Sequence, residues 1–96
     1  RELEDRYMEL LTLSVEQRLA RALLRLCSDI GMEAPDGCLI NVSLSRGDLA
    51  EYTGTTVYSV SRMLQKWDRQ GWVSTVRDRV MVRDKKSLEE LSGSID

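Results

Sequence analysis

With 96 residues the chain can close one small core but not two, and 42% hydrophobic with 31% charged residues is a globular composition. No long apolar run is present, which argues against a transmembrane segment or a secretory signal and makes the cytoplasm the expected compartment. A net charge of −2 weighs mildly against nucleic-acid binding by the chain as a whole, and the absence of histidine with only two cysteines, Cys27 and Cys38, rules out the common zinc-finger sets.

The chain starts at Arg1 without a methionine, and its first ten residues read as the end of a helix, so a piece of a longer protein is expected. Leu3, Tyr7 and Leu10 are spaced four and then three, an apolar seam set among Glu2, Glu4, Asp5 and Glu9. The spacing fits the tail of a coiled coil and equally a helix packing on its own domain. Ser14 then opens a second helix with Gln17 at the reciprocal capping position, an apolar face of Val15, Leu19, Leu23, Leu26 and Ile30, and Gly31 just past the end. Arg18, Arg21 and Arg25 fall on the other side and read as a solvated face, while Cys27 on the apolar stripe reads as a small core residue. A Cys27–Cys38 disulfide is disfavoured by the compartment.

Ala34-Pro35-Asp36-Gly37 is turn chemistry, and the alternation of Ile40, Val42 and Leu44 with Asn41 and Ser43 predicts a short half-buried strand. Ser45 to Trp67 then predicts two short helices about a tight turn. Ser45 caps the first, Asp48 completes a capping box, and Leu44 is placed to staple onto Leu49. Leu49, Ala50 and Tyr52 follow, Gly54 tolerates the positive φ that turns the chain, and Thr55 or Thr56 caps the next helix. In that helix Val60, Met63, Leu64 and Trp67 form the apolar stripe, leaving Tyr58, Ser61, Arg62 and Gln65 outward. An outward polar face of this kind suits the base edges of a DNA major groove.

Past Gly71, Trp72 to Val76 and Arg79 to Arg83 predict two strands about an Arg77-Asp78 turn. Ser87 to Leu91 predicts a short closing helix, and Ser92 to Asp96 are expected to fray. The charge follows this organisation: Leu44 to Arg83 carries net +3, Arg1 to Ser43 −3 and Asp84 to Asp96 −2. A positive field therefore sits on the helix pair and the hairpin. No histidine base, glycine-rich phosphate loop or serine elbow is present, so nothing in the sequence reads as catalytic and no metal site is expected.

The stretch resembles the helix-turn-helix of the Crp/Fnr family of bacterial transcription regulators. Ala50, Gly54 and Val60 keep that motif's spacing, with a small residue where the helices meet, a glycine at the turn and an apolar seal; Leu49 and Met63 fill further apolar positions. Val60-Ser61-Arg62 continues the signature, with Arg62 at the family's guanine-reading arginine, and Ser61-Arg62 is more similar to the anaerobic-regulator branch than to the catabolite-activator branch. Family members usually carry glutamate where this chain has Tyr58, so that glutamate's base preference does not carry over.

The resemblance implies an α+β, mainly α, winged helix-turn-helix domain over residues 13–96, with 1–12 as the end of a dimerisation helix. It further implies a homodimer on a palindromic double-stranded DNA operator and an effector-binding domain, of unknown effector, before residue 1. RNA polymerase is a candidate partner, and no cofactor is expected in this piece. Arg62, Ser61, Tyr58 and Val57 are the base-contacting candidates; Arg46, Thr55, Thr56, Ser59, Gln65, Arg77 and Arg79 are the backbone-contacting ones. For Arg62 the competing reading is an ion pair with Asp68 or Glu51. Tyr58 is open between a thymine methyl, the sugar-phosphate backbone and packing on the wing. A winged-helix protein-interaction module is the rival function, because the fold serves that purpose too and the chain is acidic overall. An RNA binder would need an exposed aromatic platform for single-strand recognition, which the sequence lacks.

Overall fold

The computed structural model describes residues 14–93. The expected dimerisation segment 1–12, with Leu3, Tyr7 and Leu10, lies outside the described residues, as do 94–96.

Helix α1 (Val15–Ile30) opens on the expected capping box: the Gln17 amide donates to Ser14 Oγ at 3.0 Å and the Ser14 amide donates to Gln17 Oε1 at 3.1 Å. Its buried stripe is Leu19, Leu23 and Cys27 with Ala20 and Ala22, while Ile30 is 42% exposed. Ile30 leaves the core where the chain turns at Gly31 straight into a strand, while Cys27 in the same turn stays buried. A Cβ at Gly31 would collide with Cys38 Sγ and the Cys27 carbonyl, so glycine is what lets the helix end and the sheet approach. Cys27 is a buried free thiol, and burial together with the neighbouring Cys38 thiol pushes its pKa up to about 12. Little thiolate exists there at neutral pH, in keeping with a core role.

Strands β1 (Gly31–Ala34) and β2 (Gly37–Ile40) form a hairpin around Pro35-Asp36. This corrects the sequence reading, which has no β1 and runs the strand on through Val42 to Leu44. The strand stops at Ile40, where the Val42 amide donates to the Ile40 carbonyl at 2.9 Å and Val42 turns outward. Ile40 pairs with Val80 of the neighbouring strand, which begins at Arg79 just past a turn, so little of it is left to bond a longer β2.

Helices α2 (Arg46–Thr53) and α3 (Val57–Arg69) follow, then β3 (Val73–Val76), β4 (Arg79–Val82) and α4 (Lys85–Leu91). The sheet is antiparallel in the order β1-β2-β4-β3, so α2, α3 and β3 are inserted between two strands that pair with each other. Eight residues are too few for a stable isolated helix; α2 persists because Leu49 and Ala50 are buried against α1 and α3. Leu19, Leu23, Ile40, Val60, Leu64, Trp67, Val73, Val80, Val82 and Leu88 complete the core, and Trp72 stacks at 6.3 Å on Trp67. Burial of each large apolar side chain contributes about 1.5–3 kcal/mol, which outweighs any local propensity.

Three further expectations are corrected. Arg18 and Arg21 are not a solvated face: Arg18 Nε donates to the Thr53 carbonyl and Arg21 Nε to the Ser92 carbonyl, both at 2.9 Å. Long side chains on the flank of α1 reach carbonyls that sequence periodicity cannot foresee. The closing helix starts at Lys85, capped by Asp84, whose carboxylate accepts from the Ser87 hydroxyl and amide and is held below the usual carboxylate pKa by those bonds. Ser92, expected to fray, is buried, with its hydroxyl on the Glu89 carbonyl at 2.8 Å.

Candidate nucleic-acid interface

The helix pair is built by three local devices. Ser45 and Asp48 form the capping box of α2, each amide donating to the other's side chain at 3.0 Å. Gly54 then takes the left-handed conformation, φ 73°, that an L side chain adopts only at a cost. Of the two threonines after it, Thr56 is the cap: its Oγ1 accepts from the Ser59 amide at 3.0 Å. The turn is closed by the Thr55 amide donating to the Ala50 carbonyl at 2.9 Å.

These devices fix the azimuth of α3. Val60, Leu64 and Trp67 are buried, Met63 is half-buried, and Val57, Tyr58, Arg62 and Gln65 are exposed. Ser61 is half-buried, nearer the core than the other outward candidates. The Arg62 guanidinium carbon lies 5.6 Å above the centre of the Tyr58 ring, one helical turn back. Among the described residues Arg62 makes no ion pair with Asp68 or Glu51, the partners that would have absorbed its charge. Lys66 is different: its Nζ donates to Glu16 Oε2 at 2.9 Å, tying α3 to the first turn of α1.

The backbone-contacting candidates fall into groups. Arg46 and Gln65 line one shallow cleft with Arg69 and Thr75, between α2, α3 and β3. Thr56 and Ser59 are engaged with each other, their hydroxyls 3.2 Å apart, so the cap already uses part of their hydrogen-bonding capacity. Arg77 and Arg79 are exposed at the tip of the β3–β4 hairpin, where Arg77 takes φ 61° in the two-residue turn. That tip is anchored to the approach to α2: the Leu44 amide donates to the Asp78 carbonyl at 2.7 Å, and Ser43 Oγ donates to Asp78 Oδ2 at 3.3 Å. These two bonds tie the hairpin tip to the segment that leads into α2.

The Crp-like helix-turn-helix domain model matches residues 17–91. This chain belongs to that family. The global nitrogen regulator of Synechocystis sp. is 34% identical over 73 residues, 76% of this chain and 32% of that protein. The anaerobic regulatory protein of Bacillus subtilis is 34% identical over 74 residues, 77% of this chain and 31% of that protein. Among solved structures, oxidized CprK in complex with o-chlorophenolacetic acid matches with a TM-score of 0.82 at 26% identity, over 98% of this chain and 40% of that one. The CO-dependent transcription factor CooA from Carboxydothermus hydrogenoformans, imidazole-bound, matches with a TM-score of 0.78 at 27% identity, over 86% of this chain and 38% of that one.

This Crp-like domain is thus a winged helix-turn-helix of the α+β, mainly α class, and its similarity is to DNA-binding transcription regulators rather than to enzymes. It spans about a third of the length of the curated relatives it matches. Among the described residues no helix is long and apolar enough to cross a membrane. Three features of the interface escape the sequence reading: the Tyr58–Arg62 stack, the Glu16–Lys66 pair and the Asp78 anchor of the wing. Spacing of four residues could have signalled the first; the other two join residues distant in sequence and leave no local trace.

Proposed function

We propose that this Crp-like domain recognises specific double-stranded DNA by inserting α3 into the major groove, with Arg62, Ser61, Tyr58 and Val57 toward the bases. Arg46, Thr55, Thr56, Ser59 and Gln65 then meet the flanking phosphates and sugars from the helix pair, and Arg77 and Arg79 do so from the wing. The observation that carries this reading is an α3 that buries Val60, Leu64 and Trp67 while its outward side presents an arginine with no carboxylate on it among the described residues. A guanidinium in that position can give two parallel hydrogen bonds to O6 and N7 of guanine. In the longer protein two such domains work as a homodimer in the cytoplasm on a two-fold symmetric operator, and RNA polymerase is a further partner. An effector-binding domain precedes this one.

Selection from a random duplex library tests the reading. The expected result is enrichment of a short half-site containing one G·C pair, and of inverted repeats spaced by one helical turn, about 34 Å, when two copies are joined in parallel through their amino termini. No enrichment above the starting library sinks it. The rival, a protein-interaction module, draws support from the exposed apolar Tyr52 and Val57 and the acidic total charge. Salt distinguishes the two, since phosphate contacts weaken steeply as salt rises and an apolar interface does not.

A further inference from the structure

Tyr58 and Arg62 are four residues apart on α3, which stacks their side chains on one face of the helix. The guanidinium carbon is 5.6 Å from the ring centre, inside the range in which a cation is attracted to an aromatic face. Tyr58 is 71% exposed and is not part of the core. Among the described residues no carboxylate and no hydrogen-bond acceptor holds Arg62. The Tyr58 ring is therefore, among the described residues, the electrostatic contact of this guanidinium, which also borders a cleft beside Ser14 and Glu16.

We propose that Tyr58 is a positioning residue for Arg62, holding the guanidinium in the guanine-reading pose before DNA arrives. The inference rests on the DNA-binding reading and gives Tyr58 one role among the several its exposure allows. A long, free arginine must lose side-chain freedom when it grips a base, and a pose already populated in the free protein removes part of that loss. An exposed stack of this kind shifts the population roughly two- to fivefold. Apparent affinity scales with the competent fraction, so up to the same factor appears in cognate binding. Non-cognate binding does not need the two-donor pose and is spared, which turns the stack into a source of discrimination.

The test uses this chain and its Tyr58→Ala and Tyr58→Phe variants. In the free protein, NMR should show the Arg62 Cδ and Nε protons displaced by the ring current in the parent and in Tyr58→Phe, and undisplaced in Tyr58→Ala. Thermal unfolding should coincide for all three, because the side chain lies outside the core. In anisotropy titrations on a selected half-site, Tyr58→Ala should lose roughly two- to fivefold in its preference for the G·C pair over substituted pairs, with the slope of log K against log salt unchanged. Tyr58→Phe, which keeps the ring and lacks the hydroxyl, should restore the preference. The proposal is overturned if no ring-current displacement is seen, if Tyr58→Ala discriminates as well as or better than the parent, or if Tyr58→Phe fails to rescue. A parent with a ring-current displacement but no preference for any duplex would overturn the DNA reading itself, and the positioning role with it.

Discussion

Arginines on α1 and arginines on α3 and the wing have the same chemistry and opposite fates. Arg18 and Arg21 bend onto the carbonyls of Thr53 and Ser92, and so clamp α1 to the end of α2 and to the carboxyl-terminal turn. Arg62 faces outward over a tyrosine ring, and Arg77 and Arg79 stand exposed at the hairpin tip. The difference lies in what each side chain can reach: orphan carbonyls at helix ends attract the first pair, whereas no acceptor is in contact with Arg62 among the described residues. Counting basic residues would treat all five alike. Geometry sorts them into two that hold the fold together and three that are available to a polyanion.

The sharpest way to break this division is Arg62→Ala. It should remove discrimination at one G·C pair per half-site at a cost of about 1 to 3 kcal/mol and leave thermal stability alone, because only an outward donor pair is lost. Competition titrations with single-substituted duplexes measure it, and a variant that still prefers the same pair would move Arg62 out of the reading role. Arg18→Ala should do the reverse, lowering stability by about 1 to 2 kcal/mol as the Thr53 carbonyl loses a charged donor, with cognate affinity of the folded fraction kept. For a domain of this size that is a fall in Tm of roughly 4–8 °C per kcal/mol, readable by calorimetry. An unchanged Tm would return Arg18 to the solvated face.

The smallest effect is expected at the wing. Arg77→Ala and Arg79→Ala should each weaken binding to every duplex alike and flatten the salt dependence by about one unit per lost phosphate contact. A slope that stays put in both would leave the hairpin as ordinary solvated surface.

What the sequence makes legible follows the range of the interactions. Ser45 with Asp48, Gly54 and Thr56 act within three or four residues, so the two helices and the turn between them can be read directly. The hairpin of β3 and β4 is equally local, its strands joined by Arg77-Asp78 alone. Strand β1, by contrast, is Gly-Met-Glu-Ala, a sequence with no β-branched residue, and it is a strand only because β2 bonds to it. The misplaced end of β2 has the same origin: Val42 alternates correctly, yet the chain has already turned back on Ile40. Ser92 and the arginine clamps escape because their partners lie 71 and 35 residues away.

The sheet order carries a consequence for how this molecule assembles. Ile40 on β2 pairs with Val80 on β4, so residues 41–79, which hold both motif helices and strand β3, form one closed loop with its two ends side by side. Closing such a loop costs chain entropy before the pairing returns anything, which places the β2–β4 junction among the slow, non-local steps of folding even though the helices inside the loop can form early. Once closed, that junction works as a drawstring. A fluctuation that parts β2 from β4 loosens the segment carrying the outward arginines at both ends while the Leu44–Asp78 bond inside it persists, so the helix pair and the wing shift together as one cooperative unit.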